Sequence, residues 1–100
     1  MKVRLSTLAL AELDNILAEI AAHSPEGARK VESRLRAALQ RVAEFPKSAQ
    51  QVTQRPGIFR APLVRYPYSV YFQILRDEVV VLRIRHDRRR SLYRPGDEES

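Results

Sequence analysis

The stretch Tyr68-Ser69-Val70-Tyr71-Phe72-Gln73-Ile74-Leu75-Arg76-Asp77-Glu78-Val79-Val80-Val81-Leu82-Arg83-Ile84-Arg85-His86 decides the fold. Side chains on a strand alternate between two faces, so Tyr68, Val70, Phe72 and Ile74 share one side, and Ser69, Tyr71 and Gln73 share the other. After the polar turn Arg76-Asp77-Glu78, the residues Val80, Leu82, Ile84 and His86 fall on one face. Val79, Val81, Arg83 and Arg85 fall on the opposite one. Two period-two runs joined by a short polar turn predict a β-hairpin with one apolar side and one side carrying Tyr71, Arg83 and Arg85.

Upstream, Gly57 to Val64 predicts a preceding strand, with Pro62 at an edge or bulge because proline cannot donate to a ladder. The polar stretch Lys47 to Pro56, rich in Gln and Ser, reads as a connecting loop. Further back the period changes to that of a helix. Leu10, Leu13, Ile16, Leu17 and Ile20 recur at three- and four-residue spacing after a cap at Ser6 or Thr7, with Glu12, Asp14, Asn15 and Glu19 on the polar side and the first acids near the positive end of the dipole. Ser24-Pro25-Glu26 restarts a second helix, because serine accepts free amides and proline fits the first turn. Its stripe runs Val31, Leu35, Ala38, Leu39, Val42 and Phe45 until Pro46 ends it. Residues 3–6 read as a short opening strand.

The order is β-α-α-β-β-β, an α+β fold in which an N-terminal helical hairpin packs on one face of a small antiparallel sheet. The helices are expected to cover the face containing Val70, Phe72, Val80, Leu82 and Ile84. Tyr71, Arg83 and Arg85 are then expected on an open face. A chain of 100 residues holds one core, so residues 1–96 are expected to form a single domain and 97–100 a disordered acidic tail.

Charge is unevenly distributed. The chain carries a net +6, but residues 1–50 contribute +2, residues 51–96 contribute +7 and residues 97–100 contribute −3. A basic C-terminal half implies a polyanionic partner, either nucleic acid or an acidic protein segment. Fifteen of the eighteen basic residues are Arg, a bias that a merely solvated surface also produces. No cysteine is present to form a disulfide or thiolate site, and no run approaches the ~18 apolar residues of a membrane span, so a cytoplasmic location without membrane attachment is expected.

The two histidines, His23 and His86, stand on separate elements with no second ligand at a useful spacing, so no metal is expected. The glycines, Gly27, Gly57 and Gly96, are isolated, so no phosphate-cradling loop and no cofactor is expected. What remains is Arg65, Tyr71, Arg83, Arg85, His86, Arg88, Arg89, Arg90 and Tyr93. These residue types suit metal-independent RNA cleavage, which needs a base, an acid and cations on the phosphorane. They suit equally a surface that grips an acidic peptide through Arg–carboxylate pairs, whereas a basic nucleic-acid-binding module ranks last because aromatic residues interleaved for base stacking are few. His86 also continues the inward strand register, and Arg88 to Arg90 also reads as a solvated run.

Ser6-x-x-Ala9 followed by Glu12-Leu13-x-x-Ile16, Phe45-Pro46, Tyr66-Pro67-Tyr68, Val70-Tyr71, Val79-Val80-Val81-Leu82-Arg83 and His86-x-x-Arg89 together resemble the ParE/RelE superfamily of type II toxin–antitoxin toxins, which includes plasmid stabilisation proteins. The resemblance covers residues 3–90 and is most specific in the hairpin. It implies a cytoplasmic toxin bound by an acidic, ParD-like antitoxin in a hetero-oligomer. In the ParE-like branch it implies inhibition of DNA gyrase by binding, without catalytic residues. In the RelE-like branch it implies an endonuclease acting on mRNA at the ribosome. The nuclease branch carries Arg where this chain has Ser69, and basic residues where it has Gln50, Gln51 and Gln54, so the ParE-like branch is favoured. Antitoxin or target binding is then expected at Tyr71, Arg83, Arg85, Arg88, Arg89 and Arg90. In the nuclease alternative Arg65, Arg85, His86 and Tyr93 are the candidates, the arginines on the phosphate and His86 or Tyr93 moving protons.

Overall fold

A computed structural model describes residues 1–88. The elements run β1 (Lys2–Leu5), α1 (Thr7–His23), α2 (Pro25–Glu44), a 3-10 turn at Pro46–Ser48, β2 (Gln50–Gln51), β3 (Phe59–Pro62), β4 (Tyr68–Leu75) and β5 (Glu78–His86). The five strands form one mixed sheet in the order β1-β5-β4-β3-β2, with two helices packed against it.

The helix starts follow from their caps. Ser6 Oγ accepts the amide of Ala9 at 3.0 Å, and Ser24 Oγ accepts the amide of Gly27 at 2.9 Å with Pro25 in the first turn. Each cap satisfies one of the amides a helix start leaves without a partner, worth ~1 kcal/mol. Ala9 is fully buried, and Leu13, Ile16, Leu17 and Ile20 pack on the core. Val31, Leu35 and Val42 supply the matching face of α2. Leu10 and Phe45, expected on these stripes, are instead 49% and 61% exposed. Leu10 is one position past buried Ala9, which turns it away from the sheet. Phe45 stands at the C-cap with φ −134° and ψ 63°, outside helical geometry, so the period no longer places it.

The sheet departs from expectation in three respects. β1 lies parallel to β5, with Lys2 opposite Glu78 and Leu5 opposite Val81, so the sheet is mixed and not wholly antiparallel. The presumed loop also contributes an edge strand, Gln50–Gln51, paired with Phe59–Arg60. Gly57, at φ +86°, lets the chain turn back between them, in a conformation side-chain-bearing residues rarely adopt.

The third departure is a β-bulge in the central hairpin. Tyr71 pairs with Arg83 and Phe72 with Val81, which leaves Leu82 as an extra residue on β5. Such an insertion changes the face of everything on one side of it. Ile84 lies opposite Val70 on the helix-covered side as expected, but below the bulge Val79 and Val81, not Val80 and Leu82, join Phe72 in the core. Leu82 packs with Tyr71, Ile58 and Val52 in a second, smaller cluster. Tyr71 is therefore only 1% exposed, and the face expected to be open is closed over it.

Candidate functional site

The bulge also decides what happens along the outer edge of β5. β1 pairs only with Glu78–Val81. Ser6 continues the coverage: its amide donates to the Val81 carbonyl at 2.9 Å and its hydroxyl to the Leu82 carbonyl at 3.1 Å. Next comes Glu12 of α1. One of its carboxylate oxygens accepts the backbone amide of Ile84 at 3.0 Å, and the carboxylate also receives Arg83 Nε at 3.0 Å and Nη2 at 2.8 Å. Arg83 and Glu12 side chains are 13% and 19% exposed, so this is a forked, charge-assisted pair held largely away from water. Arg83 is thus occupied by its own helix, which corrects its expected place on an open face. Glu12 does not lie in the first turn of α1, and its role is to close the strand edge, not to complement the helix dipole.

Beyond this clasp the edge opens into a groove of about 730 Å³. Asn15, Ile16 and Glu19 of α1 form one wall, and Tyr68, Ile84, Arg85, His86 and Arg88 form the other. The imidazole of His86 meets the ring of Tyr68 edge-on, with centroids 5.2 Å apart and planes at 80°. His86 Nδ1 accepts the Arg88 amide at 3.0 Å, so the neutral ring that fits this bond carries its proton on Nε2. Arg85 stands opposite Ser69, and Arg88 is exposed.

On the face away from the helices lies a polar knot that sequence reading missed. Ser69 is fully buried, and its hydroxyl donates to Asp87 Oδ1 at 2.6 Å. Arg60 Nη2 reaches the same oxygen at 3.3 Å. The Asp87 amide donates to the Pro67 carbonyl at 2.7 Å, which fastens the end of β5 to the start of β4. The available signal was a small polar residue, Ser69, in a strand of bulky ones. It implied close packing above it without naming the partner.

The expected candidates are therefore only partly assembled. Arg85, His86 and Arg88 share the groove, with Arg83 at its inner end. Arg65 sits exposed at φ +71° in the turn between β3 and β4 and does not line the groove. Tyr71 is sealed beneath Ile58 and Leu82. Arg89, Arg90, Tyr93 and the acidic tail 97–100 lie outside the described residues. Among the described residues no cluster of three or more His, Asp or Glu side chains is placed to hold a metal ion, and no helix is long and apolar enough to cross a membrane.

Comparison with known proteins places this arrangement. Among solved structures, the chromosomal ParDE toxin–antitoxin system from P. aeruginosa is similar at 25% identity with a TM-score of 0.76, covering 86% of this chain and 95% of that one. The RelBE2 toxin–antitoxin complex from Mycobacterium tuberculosis is similar at 25% identity with a TM-score of 0.53, covering 85% and 95%. A search of curated proteins finds no match. The family described as ParE toxin of the type II toxin–antitoxin system, parDE, matches residues 3–91, which is most of the chain. The chain belongs to the ParE family of type II toxin–antitoxin toxins.

Proposed function

We propose that this protein arrests growth by binding and inhibiting DNA gyrase, and that an acidic antitoxin neutralises it. The observation that carries the reading is the state of Ser69. The nuclease branch places an arginine there to hold phosphate, whereas here the position is a fully buried hydroxyl committed to Asp87. The cation on that carboxylate, Arg60, is 13% exposed and reaches Asp87 Oδ1 at 3.3 Å. A phosphate clamp needs cations presented to the substrate, and this knot turns one inward. The remaining cations, Arg85 and Arg88, stand beside a groove whose opposite wall carries Glu19 and Ile16, a mixed lining better matched to a protein segment than to a polyanion.

The purified chain is expected to inhibit gyrase-catalysed supercoiling of relaxed plasmid, and co-expression with the product of the adjacent gene is expected to restore growth. A cytoplasmic location and a part in plasmid stabilisation belong to the same reading. The RelE-like alternative draws on one feature, the juxtaposition of His86, Arg85 and Arg88. There the arginines would hold phosphate, while His86 Nε2 or Tyr93 would move a proton. Normal supercoiling together with mRNA cuts on translating ribosomes would establish that alternative.

A further inference from the structure

The outer edge of β5 is closed in stages and then left off. β1 covers Glu78–Val81, Ser6 takes the Val81 and Leu82 carbonyls, and Glu12 takes the Ile84 amide. Asp87 turns its amide inward to Pro67. Strand alternation then points the Ile84 carbonyl and both backbone groups of His86 outward, into the groove. Among the described residues no strand pairs with β5 on that side above Val81. A stretch of edge with backbone donors and acceptors turned outward is a template for one more strand.

The chemistry on either side of that edge defines the occupant. Ile84 and His86 lie on the helix-covered face, where Ile16 and Tyr68 complete an apolar and aromatic wall. Arg85 belongs to the opposite face, in register with Ser69. A strand laid against the edge would send alternate side chains to these two sides. We propose that the groove between α1 and Ile84–His86 takes an extended segment of a partner protein as a sixth strand, with apolar residues toward Ile16 and Tyr68 alternating with acidic residues toward Arg85. The Glu12 clasp sets where pairing begins, because its carboxylate already occupies the Ile84 amide. The inference deepens the antitoxin reading, since an antitoxin is the natural source of such a segment, but its test needs no antitoxin.

The probe is the capped peptide acetyl-Glu-Val-Glu-Val-Glu-Val-Glu-amide, titrated into the full chain while backbone amide resonances and hydrogen exchange are followed. Binding is expected to protect the His86 amide. Two further peptides, one N-methylated at every valine and one at every glutamate, separate pairing from charge, because only one set of amides can face β5. One of the two is expected to bind roughly tenfold more weakly or worse, having lost its backbone hydrogen bonds, while the other retains affinity. R85E/R88E is expected to weaken the parent peptide without altering the amide spectrum of the core. Equal binding by all three peptides, protection elsewhere than at His86, or no binding overturns the proposal. So does displacement of the peptide by a seven-nucleotide oligouridylate at equal or lower concentration, which would make the groove a nucleic-acid site. None of these outcomes bears on supercoiling or on rescue by co-expression, so failure here is distinguishable from failure of the toxin reading.

Discussion

The two halves of β5 share one backbone and have opposite fates. Glu78–Val81 is paired on both edges, by β1 and β4, and its valines are buried on both faces of the sheet. Arg83–His86 is paired with a strand on one edge only, and three of its four side chains are Arg or His. Leu82 is the divide. The first half is a structural beam and the second a presented surface, and a single inserted residue lets one strand be both. Bulges at sheet rims commonly re-aim side chains in this way. Here the re-aimed residue is Arg83, and Glu12 waits for it on α1.

The comparison breaks most completely if the insertion is removed. Deleting Leu82 would join Val81 directly to Arg83 and leave every other residue on its present face, because Phe72–Val81 and Tyr71–Arg83 would become consecutive pairs. It would, however, strip Leu82 from the cluster over Tyr71 and remove the acceptor of the Ser6 hydroxyl. A loss of about 3–5 kcal/mol in urea unfolding is expected, with the Val70–Ile84 and Phe72–Val81 cross-strand contacts retained. Stability equal to the parent's would mean that Leu82 adds nothing to the cover over Tyr71. Next in size is the clasp. Glu12→Ala leaves a largely buried guanidinium and a strand amide without their acceptor, and is expected to cost about 2–4 kcal/mol in urea unfolding. If the cost is cooperative, a double-mutant cycle with Arg83→Ala will show coupling of at least about 1 kcal/mol. Additive losses would reduce the clasp to two separate contacts.

Charge reversal on the presented half tests the other side of the comparison. R85E/R88E is expected to change stability by no more than about 1 kcal/mol, since neither residue belongs to the core, while weakening the complex with the adjacent gene's product at least tenfold. Arg83 is excluded from that variant because its reversal would place a second carboxylate beside Glu12. The smallest effect belongs to Arg4, whose ion pair with Glu78 at 3.1 Å has side chains 58% and 31% exposed. Arg4→Ala is expected to change unfolding free energy by less than about 0.5 kcal/mol, an effect further reduced in salt.

Much of the architecture was legible because periodicity and caps are local. Ser6, Ser24 and Pro25 mark the helix starts, and alternation in Tyr68–Leu75 gives the correct inward face for Val70 and Phe72. The lower half of β5 was not legible. Val79, Val80, Val81 and Leu82 are all apolar, so alternation contains no information about which of them faces the helices, and a bulge within such a run leaves no trace. The parallel placement of β1 is similarly silent, because strand direction depends on where the chain returns after two helices. At the candidate site, residue types were informative and their partners were not. Arg83 was visible as an unusual strand residue, but its pairing with Glu12 spans 71 positions. Tyr71 looked exposed because nothing in the Gln-rich stretch advertises that Ile58 folds back over it.

Ser6 joins the earliest part of the chain to one of the latest. A single hydroxyl caps α1 through the Ala9 amide and donates to Leu82, 76 residues away. At about 5–20 residues per second, synthesis of that interval occupies about 4–15 s. During this time β1 has no neighbour to pair with, α1 has no Arg83 for Glu12, and the apolar sides of both helices have no complete sheet to lie on. Contacts so distant in sequence form only after the entropy of closing the loop has been met. The nascent toxin therefore stays without its finished edge until β5 leaves the ribosome. That interval is a window in which a partner already in the cell can meet the protein before its harmful form exists.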